Sequence, residues 1–245
     1  MRMERWADLQ VRITGGTDRE GGGTGPVVVL MHGYGAPGDD LVALQRVLPV
    51  PREVRFVFPE APLAPPELRG FGGRAWWPID VVGLQLAASQ GRIRERMQSM
   101  PEGLLEVRAR VIAMLDVMQR ELSVTSDRVV LGGFSQGSML ALDVALHDQR
   151  PLAGLALLST TPLCIADWQP LMAARKDLPV LQTHGTQDVV LPHALALEER
   201  DMLEAAGLDV TWISFPGGHE LPHVVLQALA DFVSMQLGSS EETNG

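Results

Sequence analysis

The sequence predicts an α/β protein with a mostly parallel central sheet and helices on both of its faces. The first observation is a set of short apolar segments without polar alternation, which is typical of strands buried on both faces. The second is that helix-compatible amphipathic stretches separate these segments, as in successive βαβ units. The third is size, because 245 residues with 46% hydrophobic content can form a large core.

Six segments are predicted to be strands. Five of them are rich in aliphatic or aromatic residues: 26–31, 55–58, 128–131, 155–158 and 180–183. The sixth, 210–215, alternates more between apolar and polar side chains, so we expect it nearer an edge of the sheet. The glycine-rich stretch 15–25 is predicted to be an early loop, and whether it connects N-terminal antiparallel strands stays open.

Three helices are predicted, and sequence signals mark the start of the first and the end of the second. Ser99 and Glu102 have the spacing of a capping box, with Pro101 between them, and are expected to open a long helix. A second helix is expected over 192–206 and should end at Gly207. A third, striped with apolar residues, is expected near the C-terminus.

The chain is predicted to be a single domain over residues 1–245, because neither a linker nor an internal repeat divides it. The stretch 63–101 is rich in proline and glycine and lacks a regular period. Long irregular excursions in a compact α/β domain are usually functional, so we expect a pocket- or lid-like segment there. The polar residues 239–245 are expected to form a flexible tail.

Composition excludes several classes of function. The chain has 20 Lys and Arg residues and 30 Asp and Glu residues. The resulting net charge of −10 argues against nucleic acid or an anionic membrane as the partner. Cys164 is the only cysteine, which fits a reducing compartment. The N-terminus lacks the apolar stretch of a signal peptide, and no apolar run is long enough to span a bilayer. We therefore expect a cytoplasmic protein without integral membrane association, while a homodimer stays open.

The most informative motif is Gly-Phe-Ser-Gln-Gly at 133–137. It lies between a predicted strand and a helix-compatible stretch, which is the context of a nucleophile elbow. In such an elbow the serine occupies a tight turn that only glycines can flank, and its hydroxyl is exposed above the sheet. The motif predicts Ser135 as a nucleophile, and the alternative is a plain tight turn between strand and helix.

A serine hydroxyl needs a base and an acid that orients the base, and α/β-hydrolases supply them in the order Ser, acid, His. Asp188 follows a predicted strand at the carboxyl edge, where open α/β sheets place ligands. It is the predicted acid, with helix capping as the alternative role. His219 follows the next predicted strand on a glycine-rich loop and is the predicted base. His223 is the alternative base.

Two backbone N–H groups are expected to form an oxyanion hole. One belongs to Gln136, at the start of the predicted helix, where the helix dipole favours negative charge. The other belongs to Tyr34, in the loop after the strand at 26–31. His32 is expected to shape this loop rather than act as a base. The alternative for the loop is an ordinary glycine turn.

The chain resembles the phospholipase/carboxylesterase family of α/β-hydrolases, which includes the acyl-protein thioesterases. Four blocks carry the resemblance: 30–35, 74–77, 131–137, and 184–188 together with 217–219. The resemblance implies an α/β-hydrolase fold that hydrolyses carboxylic esters with no metal or other cofactor. It also implies Ser135, Asp188 and His219 as the triad, with Tyr34 and Gln136 as the oxyanion donors.

Two departures from the family pattern affect the expected pocket. The family often has Trp-Phe-Asp where this chain has Trp76, Trp77 and Pro78, and the stretch 84–100 looks longer than in compact members. Trp76 and Trp77 are predicted to be substrate-binding aromatics, with plain packing as the alternative.

The function predicted from the sequence is a serine carboxylesterase for small-molecule esters of short to medium chain length. The alternative is a thioesterase acting on acyl-proteins or acyl-CoA, or a lysophospholipase, with the same triad. A second alternative, from a different class, is a non-catalytic binding module on a hydrolase fold.

Overall fold

The structure is a computed structural model and describes residues 1–80, 82–83, 86–87, 90–92, 94–95 and 98–238. The strands are β1 Arg2–Trp6, β2 Leu9–Gly16, β3 Glu20–Gly22, β4 Val27–Met31, β5 Arg55–Pro59, β6 Val129–Phe134, β7 Gly154–Leu158, β8 Pro179–Gly185 and β9 Asp209–Phe215. The helices used below are α1 Leu44–Val47, α2 Leu104–Glu121, α3 Gln136–His147, α4 Ile165–Met172, α5 His193–Ala205 and α6 His223–Leu237.

The strands form one sheet in the order β1-β2-β5-β4-β6-β7-β8-β9, with β3 beside β2. Neighbours from β5 to β9 are all parallel, whereas β2 is antiparallel to both β1 and β5. The prediction of a mostly parallel sheet is confirmed. The alternating segment at 210–215 is β9, at the edge of the sheet, as its pattern indicated.

Each central strand sends side chains into two cores. In β4, Val27, Val29 and Met31 pack with the core formed by α2, α3, α4 and α5, while Val28 and Leu30 face α6 on the other side of the sheet. All five β4 residues are buried, which explains the absence of polar alternation in this segment. Full burial of such a side chain contributes about 1.5–3 kcal/mol. Helices therefore cover both faces, as predicted.

The N-terminal hairpin of β1 and β2 is an element that the sequence did not define. Its two turn residues, Ala7 and Asp8, both have positive φ angles of 46° and 69°. This is the geometry that matches the twist of a two-residue hairpin, but the usual Asn-Gly or Asp-Gly signal is absent. The prediction of a loop over 15–25 is wrong in part, because the stretch contains the end of β2 and all of β3.

The long helix α2 begins later than the sequence indicated. Its N-cap is Gly103, with φ 84° and no side-chain cap hydrogen bond, so the predicted capping box at Ser99 and Glu102 is wrong. Only a residue that tolerates positive φ fits this cap, and glycine supplies it. The predicted end of α5 is confirmed, since the C-cap Ala206 is followed by Gly207 with φ 88°.

The predicted tail 239–245 lies outside the described residues, as do several positions of the segment 63–101. The described part of that segment contains a 3-10 helix, Pro66–Phe71, and an isolated bridge between Leu63 and Ala75. Its role as a lid and the single-domain division of the chain stay predictions. None of the described helices combines the length and apolar character needed to cross a bilayer.

A fully buried acidic residue, Glu199, faces the sheet from α5. Its carboxyl oxygens lie 3.1 Å from Nε2 of Gln182 and 3.5 Å from Oγ1 of Thr160. Desolvation raises the pKa of Glu199 to about 8, against a smaller lowering effect of the Thr160 hydrogen bond. The side chain is therefore mostly protonated at neutral pH.

This burial predicts how stability depends on pH. An unfolded glutamate ionises near 4.5, so between that pH and about 8 the native state binds the extra proton, and its stability falls as the pH rises. Glu199→Gln removes this dependence. The free energy of unfolding of the variant minus that of the parent should increase by roughly 3 kcal/mol from pH 5 to pH 8, as measured by urea titration.

The control is Glu204→Gln, which changes an exposed residue of the same helix and should show no such trend. If the difference in free energy of unfolding between Glu199→Gln and the parent stays constant across this pH range, Glu199 is not protonated in the folded protein.

Candidate active site

Ser135 stands at a sharp turn between β6 and α3. Its backbone has φ 55° and ψ −121°, a conformation that L-residues rarely adopt and that marks strain at functional sites. The flanking glycines are needed because the neighbouring backbone is close: a Cβ atom on Gly133 or on Gly137 would approach the carbonyl oxygen of Met31 too closely. The structure therefore has the geometry of a nucleophile elbow at this serine.

Asp188 and His219 form a hydrogen-bonded pair. Oδ2 of Asp188 lies 2.7 Å from Nδ1 of His219. The other oxygen, Oδ1, accepts hydrogen bonds from the N–H groups of Val190 and Leu191, each at 2.8 Å. His223 begins α6 and is exposed. His219 is therefore the histidine that Asp188 orients.

The environment keeps Asp188 ionised. Burial alone raises its pKa, but hydrogen bonds from His184, from His219 and from the Leu191 N–H outweigh burial and hold the pKa of Asp188 well below its usual range. An ionised carboxylate is an acceptor only, so Nδ1 of His219 carries the hydrogen of the pair. In the neutral ring Nε2 is then left with a lone pair, which is what a general base requires.

The histidine ring lies beside the elbow. It packs on Phe134, the residue before Ser135, with ring centroids 4.8 Å apart. The loops that carry Asp188 and His219 are joined by backbone hydrogen bonds of 2.9 Å from Thr186 N–H to the Phe215 carbonyl and from Gln187 N–H to the Gly217 carbonyl. The predicted acid and base are thus held as one unit next to the predicted nucleophile.

His184 has a larger part in the site than the sequence indicated. It is fully buried, and its Nε2 lies 2.8 Å from the carbonyl oxygen of Leu191 and 3.3 Å from Oδ2 of Asp188. Because a carbonyl oxygen only accepts, Nε2 carries a hydrogen, and the same N–H faces the carboxylate. His184 precedes Asp188 by four residues, and this spacing is the one sequence signal that points to its role.

The predicted oxyanion donors lie close to Ser135. Met31 pairs with Gly133 in the adjacent parallel strands β4 and β6, so the loops that follow leave the sheet side by side. A Cβ atom on Gly33 would lie only 3.3 Å from Cβ of Ser135. Among the hydrogen bonds between described residues, none uses the backbone N–H of Tyr34 or of Gln136. Both groups are available to a substrate oxygen.

His32 fixes the loop that carries Tyr34. Its Nδ1 lies 2.8 Å from the Gly33 carbonyl oxygen, and its Nε2 accepts a hydrogen bond of 3.1 Å from the N–H of Ala61. One ring nitrogen therefore donates while the other accepts, which describes a neutral imidazole. Desolvation lowers the pKa of His32 and favours this form. With both nitrogens engaged, His32 shapes the loop, in line with expectation.

Gln136 contributes its side chain as well as its amide. The buried side chain accepts a hydrogen bond from Trp76 N–H and donates one to the Trp77 carbonyl, both at 2.9 Å. The Trp76 indole N–H donates to the His32 carbonyl at 2.8 Å. Trp76 and Trp77 are only 1% and 3% exposed, which favours the packing alternative over the predicted contact with substrate. A substrate-binding role for the two indoles stays a prediction.

Comparison with known proteins identifies relatives of this chain. A family model described as Phospholipase/Carboxylesterase matches residues 20–237. Acyl-protein thioesterase 1 of Neurospora crassa is 30% identical over 224 residues, covering 86% of either chain. Acyl-protein thioesterase 1 of Emericella nidulans is 30% identical over 216 residues, covering 84% of this chain and 88% of the relative.

Solved structures show the same fold. Esterase PE8 superimposes with a TM-score of 0.77 at 24% identity, over 94% of this chain and 99% of the other. The Bacillus cereus carboxylesterase gives a TM-score of 0.69 at 17% identity, over 93% and 94% of the two chains. The chain belongs to the phospholipase/carboxylesterase family. The predicted α/β-hydrolase fold is confirmed, and so is the prediction of a serine hydrolase.

Proposed function

We propose that this member of the phospholipase/carboxylesterase family is a serine carboxylesterase in which Ser135 is the nucleophile, His219 the base and Asp188 the orienting acid. The observation that carries the proposal is the 2.7 Å contact between Asp188 and His219 beside a strained serine turn. The N–H groups of Tyr34 and Gln136, which donate to no other described residue, support it, because acyl transfer needs donors where the oxyanion forms.

The first half of the reaction acylates Ser135. Nε2 of His219 takes the proton of the hydroxyl as the serine oxygen attacks the ester carbonyl carbon. The ionised Asp188 stabilises the imidazolium that results, and the amides of Tyr34 and Gln136 stabilise the oxyanion. When the tetrahedral intermediate collapses, His219 gives its proton to the leaving alcohol and the acyl-serine remains.

The second half releases the acid. His219 removes a proton from a water molecule, whose oxygen attacks the acyl carbon, and the same two amides stabilise the second oxyanion. Collapse returns the proton to the serine oxygen and frees the carboxylic acid. His184 supports both halves, since its N–H helps to keep Asp188 ionised while the charge on His219 changes.

A thioesterase acting on acyl-proteins is the second candidate, and the observation that favours it is the name of two relatives, acyl-protein thioesterase 1. The same acyl-serine chemistry serves both, but a thiol leaving group has a pKa near 8.5 and depends less on protonation by His219 than an alcohol does. A small-molecule ester as substrate and a cytoplasmic location stay part of the proposal, as does the absence of nucleic-acid partners.

The triad assignment predicts graded losses of activity. Ser135→Ala should lower kcat for p-nitrophenyl acetate by about 10⁶, because the nucleophile of such triads acts as one unit with its base. Asp188→Asn should lower kcat by about 10⁴, because the amide favours the wrong tautomer of His219. The matched control is His223→Ala, which removes an exposed histidine and should keep kcat within about twofold. Near-parental activity in either triad variant would disprove the assignment.

Ester and thioester specificity can be separated with substrates that share one acyl chain. As a carboxylesterase, the protein should show kcat/KM for acetyl to hexanoyl esters at least about tenfold above that for the matched thioesters. The measurement is a chain-length series in both leaving-group classes. The reverse ratio, or a rise in kcat/KM up to palmitoyl thioesters, would favour the thioesterase instead.

A further inference from the structure

We infer that Glu60 is a positioning residue for the oxyanion hole, which it serves by holding Arg12 and Arg74 against the loop that begins at Tyr34. The inference rests on the proposed function, because it assigns a task within the same site. No sequence motif indicated this role, because Arg12, Glu60 and Arg74 belong to separate segments that meet only in the fold.

Glu60 follows β5 directly and is largely buried. Its Oε2 lies 2.9 Å from Nη1 of Arg12, and its Oε1 lies 2.5 Å from Nη2 of Arg74. Each carboxylate oxygen thus has its own guanidinium. Hydrogen bonds between charged groups are about twice as strong as neutral ones, so this pair of contacts defines the positions of both arginines.

The two arginines hold both ends of the loop. Arg12 Nη1 also donates a hydrogen bond of 2.9 Å to the carbonyl oxygen of Gly38. The backbone of Arg74 accepts a hydrogen bond of 2.8 Å from Gly35 N–H and donates one of 3.0 Å to the carbonyl of Ala36. Residues 35–38 are therefore bound at three points to arginines that share one carboxylate.

The loop also lies directly against Glu60. A Cβ atom on Gly38 would overlap the Glu60 carboxylate, so this loop position needs glycine. On the other side of Tyr34, the ring of His32 accepts a hydrogen bond from the N–H of Ala61. The segments before and after Tyr34 are thus both attached to the consecutive residues Glu60 and Ala61, at the end of β5.

The two oxyanion donors differ in how they are fixed. The Gln136 amide belongs to the first residue of α3, where the helix itself determines its direction. The Tyr34 amide belongs to a loop without regular secondary structure. Oxyanion donors work because they are already in place before the reaction, and an error of about 1 Å can cost about 100-fold in rate. The Glu60 ion pairs supply the fixed geometry that the loop lacks.

The test is Glu60→Gln, which keeps the shape of the side chain and removes its charge. For p-nitrophenyl acetate we expect kcat to fall about 10- to 100-fold, with KM within about threefold of the parent. Affinity for a trifluoromethyl ketone, which forms an oxyanion adduct with the serine, should fall by a similar factor. A purely structural role would not separate kcat from KM in this way.

The matched control is Glu106→Gln, which removes an exposed ion pair with Arg110 on α2 and should leave kcat, KM and ketone affinity within about twofold. If Glu60→Gln does not fold, the Arg74→Gln variant tests the inference instead. It removes one of the two guanidinium contacts but keeps the backbone of residue 74, and kcat should fall by about 3- to 10-fold at unchanged KM.

A folded variant that keeps parental kcat and ketone affinity would overturn the inference, and so would a change in KM alone. Failure of the proposed function looks different. In that case the parent protein itself would neither hydrolyse the ester nor bind the ketone, whatever residue occupies position 60.

Discussion

The close approach of β4 to the start of α3 is the constraint on which the site depends. Gly133 and Gly137 lie so near the Met31 carbonyl that neither position has room for a side chain. Helix α3 can therefore begin directly at the sheet edge, which forces Ser135 into its strained conformation and leaves the Gln136 amide at the helix N-terminus. The same approach brings the loop after β4 beside Ser135, so one contact positions the predicted nucleophile and both predicted oxyanion donors.

Two buried carboxyl groups on neighbouring elements are held in opposite charge states. Asp188 receives hydrogen bonds from the N–H groups of Val190 and Leu191 as well as from two histidines, and these favour the ionised form. Glu199 is buried more completely, and its partners among the described residues, Gln182 and Thr160, are uncharged, so desolvation dominates and keeps it mostly neutral. Environment rather than residue type decides which carboxyl group can stabilise the charged form of His219. A third, Glu60, is balanced by two arginines and has a purely positional task.

The features that could be predicted from the sequence are local ones. Apolar runs located the buried strands, and the glycines around Ser135 identified the elbow. The order of Asp188 and His219 after their strands predicted that the two side chains would meet, and they form a hydrogen bond of 2.7 Å. The features that were missed depend on contacts between distant segments, such as the Glu60 ion pairs and the side-chain hydrogen bonds of Gln136. The capping box at Ser99 failed for a different reason, since Gly103 adopts a left-handed conformation and begins the helix without a side-chain cap.

The central claim is that Ser135 becomes covalently acylated, and a fluorophosphonate tests it most directly. The reagent reacts only with a serine whose hydroxyl is activated by a working base. After labelling and digestion, mass spectrometry should find one adduct, on the peptide that contains Ser135, and no adduct in the folded Ser135→Ala protein. A parent protein that stays unlabelled, or an adduct on the neighbouring Ser138, would contradict the account.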